Sequence, residues 1–113
     1  AMPLHRACGQ CYVPAEILAA AGLDRDAYVS GRQRPAMRVM VEAMTSLARE
    51  HLRAFQAGAA RLPESLRPAF LPLAVTPAHL DRIDPDLAWE ALTSEPFALH
   101  RQWLVFRHAR KGW

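Results

Sequence analysis

A chain of 113 residues with 51% hydrophobic and 22% charged content has the balance of one soluble globular domain, which excludes a disordered polyelectrolyte and a multidomain assembly. Fourteen Lys and Arg against 11 acids leave a net charge of +3 and a pI near 9.4, with the excess gathered in Arg101, Arg107, Arg110 and Lys111. No apolar run approaches the roughly 18 residues of a membrane span and no signal peptide is evident, so the expected location is cytoplasmic.

Ala1 ahead of Met2 reads as a cloning scar. The first informative stretch is HRACGQCYVPAEILAAAG, His5 to Gly22, in which Pro14 opens a short helix and Gly22 closes it. Its lead-in holds Cys8 and Cys11, a C-x-x-C pair, with His5 three residues before. Such a pair serves half a zinc site, a redox dithiol, or simply the interior. No second cysteine pair supplies the remaining zinc ligands, and no strand precedes the pair as a thioredoxin-like use requires. Packed, reduced cysteines are the preferred reading. Asp24 then caps a second short helix through Ser30, and Gly31 breaks it.

The dominant feature is a long helix over about 35–58. Met37, Val41, Met44, Ala48, His51 and Phe55 recur at spacings of four and three and so share one face, which reads as a core face. Pro35 suits its first turn, and Gly58 supplies a left-handed stop. Arg38, Glu42, Arg49, Glu50 and Arg53 make the wet side. At 1.5 Å per residue the helix would span roughly 36 Å, about the width of a small domain. His51 on the apolar stripe reads as a hydrogen-bonded interior histidine, because no acid or second histidine accompanies it there.

Beyond Gly58, Pro63, Pro68, Pro72 and Pro77 punctuate a helix-forming run, so it should be helical only in pieces. Thr76 and Pro77 look like a cap and first turn restarting a helix through Ile83, and Asp84 with Pro85 repeats the signal for a helix carrying Leu87, Ala88 and Trp89. Thr93 or Ser94 should cap a final helix from Glu95 to about Arg110, with Leu99, Trp103 and Phe106 on one side. No stretch alternates with period two. The expected fold is all-α, five to seven helical pieces forming one domain. The basic end suits an anionic partner, such as a diphosphate, RNA or a lipid surface, although cations at a helix end ordinarily just complement its dipole.

The order GQCYVPAEILAAAG, a long Pro-initiated helix, LPESLRPAFLPLAVTPAHLDRI and ALHRQWLVFRHAR resembles the C-terminal portion of the squalene/phytoene synthase family, over about Gly9 to Arg110. The resemblance implies the isoprenoid-synthase fold, in which two prenyl diphosphates condense head to head while aspartate-rich helices hold Mg²⁺ against the departing diphosphate. Those motifs are not in this chain. The second would fall where His5 stands between Leu4 and Arg6, so no catalytic or metal residue and no cofactor are assigned to the chain itself. Gln10 replaces the usual arginine, His79 a common tyrosine, and Pro77 interrupts the late helix. By resemblance, Tyr12 would line the diphosphate end of the cavity; otherwise its ring packs under the first helix. Arg101 and Arg107 would touch phosphate if the final helix faces that cavity.

Three functions are compatible with this pattern. The chain is a truncated, noncatalytic relative that binds a partner or an isoprenoid, or one part of a split prenyl transferase whose aspartates sit on another chain. The third, a basic nucleic-acid module, is disfavoured because the arginines are scattered. Helices that would face a shared cavity predict self-association, most simply a two-fold dimer burying Met37, Met44 and Phe55, or a partner chain over the same surface.

Overall fold

The computed structural model describes residues 2–90 and 96–112. It is all-α, with no strand among the described residues: α1 (Met2–Ala7), α2 (Ala15–Ala20), α3 (Arg25–Ser30), α4 (Arg34–Ala59), α5 (Arg67–Phe70), α6 (Thr76–Leu80) and α7 (Ala98–Lys111), with 3₁₀ turns at Glu64–Leu66 and Leu71–Val75. The described residues fall into two compact units, one from 2–47 and 83–90, the other from 48–82 and 96–112.

In the first unit α2 and α3 form where the local signals place them. Pro14 precedes α2 with ψ 141°, and Gly22 turns the chain at φ +73°. The Asp24 carboxylate accepts the Ala27 amide at 2.7 Å, which satisfies one of the donors that a helix start leaves orphaned. Gly31 ends α3 at φ +64°. The α1 helix has no counterpart in the sequence reading. It is held by Arg6, whose guanidinium donates to the carbonyls of Tyr28 at 2.9 Å, Val29 at 3.3 Å and Trp89 at 2.6 Å. Two of those carbonyls belong to the last turn of α3, where a cation also meets the negative end of the helix dipole.

The core of this unit gathers Leu18, Leu23, Tyr28, Met37, Met40, Val41 and Trp89. Burying each large side chain is worth about 1.5–3 kcal/mol. Burial pushes the Tyr28 phenol above its usual range, and nearby Cys11 adds to this while Arg6 opposes it. Met40 belongs to the core although the stripe read from sequence omits it. The helix expected from Asp84 is instead a run of turns. Asp84 accepts the Asp86 amide at 2.8 Å and starts one turn, and the Trp89 carbonyl accepts from Arg6. Cys8 is exposed and Cys11 half-buried against the core; both are free, so only Cys11 matches the packed reading.

In the second unit Phe55 of α4 meets Phe70 with ring centroids 5.3 Å apart. His51 is exposed, which corrects the interior histidine: an imidazole without a buried partner keeps its water. Gly58 is also helical rather than a left-handed stop, and Ala59, buried, is the last residue of α4. The proline-punctuated run is helical in pieces, stepping from 3₁₀ to α5 to 3₁₀ to α6. Thr76 lies inside α6 with φ −58° and ψ −44°, so it is not a cap, and α6 ends at Leu80 rather than Ile83. Arg49 ties this end, donating to the Leu80 carbonyl at 3.2 Å and to Asp81 at 3.0 Å. The Thr93 or Ser94 cap lies outside the described residues. The last helix begins at Ala98, because Phe97 is extended with ψ 135°, and packs on Leu71–Val75.

Candidate functional site

The second unit carries the candidate site, a groove whose walls follow from proline. Pro68 and Pro72 lack amide donors and each sits in the first turn of its own segment, so the chain changes helical type between them. Leu71 and Val75 are thereby left half-buried beside α7. Between the two runs opens an apolar groove of about 860 Å³. Pro68, Leu71, Pro72, Val75 and His79 line it on one side; Arg101, Gln102, Val105, Phe106 and Ala109 on the other.

A second cavity of about 420 Å³ shares Pro68, Leu71 and Ala109 with the groove. It is lined further by Glu64, Arg67 and the end of α7 from His108 to Gly112. Arg67, Arg110 and Lys111 set three cations against the single carboxylate of Glu64, which stands 3.9 Å from Arg67 and is well hydrated. Cations in a last turn normally complement the helix dipole. Arg67 comes from a separate segment, however, and brings its charge to the same cleft. Apolar groove and cationic cleft together match a molecule with a hydrocarbon body and an anionic head.

Of the residues singled out from sequence, Arg101 lines the groove, whereas Arg107 lies 5.2 Å over the Trp103 ring. Tyr12 belongs to the first unit, 68% exposed, its ring edge-on to His5 at 4.7 Å. His79, noted only as a family departure, is a groove residue. Arg67 was missed; its signal was the basic residue beside Pro68 in an otherwise apolar run.

The first unit has a cleft of about 400 Å³ beside Arg34, Arg38, Asp86, Trp89 and Glu90. Its charges are already spent on one another: Arg34 meets Glu90 at 2.7 Å, and Arg38 meets Glu42 at 2.9 Å and Asp86 at 3.3 Å. The Glu42 hydrogen bond, with Asp86 nearby, holds Arg38 still more firmly protonated. This cleft is a strap across the core.

Among the described residues, no three of His, Cys, Asp and Glu come together as a group able to hold a metal ion. They therefore offer no carboxylate cluster that would hold Mg²⁺ by protein donors alone.

A family model described as squalene/phytoene synthase matches residues 1–102 of the chain. No curated protein and no solved structure gives a match.

Proposed function

Since the chain belongs to the squalene/phytoene synthase family, we propose that it recognises an isoprenoid diphosphate without ionising it by itself. The observation that carries this reading is the apolar groove running into a cationic cleft through the shared residues Pro68, Leu71 and Ala109. The prenyl chain lies along Leu71, Val75 and Val105, and the diphosphate meets Arg67, Arg110 and Lys111. Side-chain cations rather than a metal neutralise the head group, so binding proceeds without Mg²⁺.

A second reading makes the chain one part of a split transferase. It is favoured by the lack, among the described residues, of a carboxylate cluster that the family's chemistry needs. Those carboxylates then come from polypeptide outside these 113 residues, and the chain works with a partner chain or a second copy of itself.

Calorimetric titration with a nonhydrolysable farnesyl diphosphate analogue, with and without Mg²⁺, tests both. Metal-independent binding, weakened about tenfold by Arg67→Gln or by Val105→Asp, is the expected result. Binding that requires Mg²⁺ would favour the split transferase, and no heat under either condition would overturn isoprenoid recognition.

A further inference from the structure

One face of α7 is apolar and open to solvent. Leu99, Trp103 and Phe106 recur at spacings of four and three, form one stripe along the helix, and are 67%, 54% and 58% exposed. Leu104 and Val105, at other angles around the helix, are half-buried. The stripe therefore lies mostly off the surface by which α7 packs, with Phe106 at the edge of the groove.

The same helix carries Arg101, Arg107, Arg110 and Lys111 and no Asp or Glu. Two of these cations border the stripe directly. The Arg107 guanidinium lies 5.2 Å from the centre of the Trp103 ring, and that of Arg110 lies 5.6 Å from Phe106. Aromatic rings flanked by arginines match the layered chemistry of a bilayer surface. The rings sit at the acyl boundary while the long cationic stems reach back to the phosphates.

We propose that α7 docks on the surface of an anionic lipid bilayer. Leu99, Trp103 and Phe106 face the acyl boundary, Arg107 pairs with a lipid phosphate, and the remaining cations of α7 add general charge attraction. The helix lies in the plane of the surface, since no helix among the described residues is long and apolar enough to cross a membrane. Charge decides among occupants. A second copy of α7 laid on the stripe would set its cations against an identical set, which an anionic surface instead neutralises. Single-stranded nucleic acid would stack its bases on open ring faces, but the rings of Trp103 and Phe106 already carry their own guanidinium groups. The family match ends at residue 102, so Trp103 to Lys111 lie beyond it, and this proposal does not rest on isoprenoid recognition.

Flotation of the full chain with phosphatidylcholine vesicles, with and without phosphatidylglycerol, tests it. Partitioning should be at least about tenfold stronger with the anionic lipid and should fall as salt rises. Arg107→Gln should weaken it about fivefold, and Leu99→Ser with Trp103→Ser about tenfold or more. Phe106 is left in place because it lines the groove, so titrating the same variants with the farnesyl diphosphate analogue reports separately on isoprenoid recognition. Retained helicity by circular dichroism shows that α7 persists. The proposal is overturned if the chain ignores anionic vesicles, if the variants float as well as the parent, or if it prefers single-stranded RNA to the vesicles.

Discussion

Arg6 spends one guanidinium on three backbone carbonyls, and that single side chain joins α1, the end of α3 and the turn that buries Trp89. The carbonyls would otherwise lose their hydrogen bonds in a partly buried place, at about 1–3 kcal/mol each. Gly31 makes this possible twice over: it adopts φ +64°, and a Cβ there would run into the Arg6 guanidinium. Gly22 has a similar φ of +73° but open space around its missing Cβ. Gly31→Ala should therefore cost about 2–3 kcal/mol, against about 1 kcal/mol for Gly22→Ala, which carries backbone strain alone. Urea denaturation of the two variants compares them directly, and equal losses would remove Arg6 from the explanation.

At the scale of elements, short helices owe their boundaries to caps, and the rest of the chain owes its shape to proline. The α3 helix has only six residues, too few to persist by propensity, so its start depends on the bond from Ala27 to Asp24. Asp24→Ala should lower stability by about 1 kcal/mol, while Asp24→Ser should restore most of it. No difference between the two in thermal melts would mean that packing alone sets the end of α3. Between Pro63 and Leu80, each proline restarts a segment and leaves the apolar residues Leu71 and Val75 facing a groove rather than a closed core. The same device that fragments the helix creates the groove.

For the molecule as a whole, the question is which apolar faces the chain covers for itself. Met37 was expected at a dimer interface, yet it is fully buried in the first unit, and Phe55 already meets Phe70. Met37→Ala should then cost about 2–5 kcal/mol as an intrachain loss. Its denaturation midpoint should not vary with protein concentration; a midpoint that rises with concentration would return this face to self-association. On α7, by contrast, Leu99, Trp103 and Phe106 form an apolar stripe that stays exposed.

Much of this was legible in the residues because it is local. Asp24 caps its helix, Gly22 and Gly31 take left-handed angles, the prolines fragment the segment that holds them, and α4 follows its apolar period, all through interactions within a few positions. The family was legible for the same reason, as ordered local motifs over about Gly9 to Arg110, and the family model matches residues 1–102. Only the tertiary structure decided the rest. It placed Arg6 on carbonyls as many as 83 positions away, left His51 in water on an apolar stripe, and brought Arg67 beside the end of α7. A stripe declares that a face is apolar, but whether it is covered depends on what distant chain packs there, and that is settled by competition among all faces for the same limited interior.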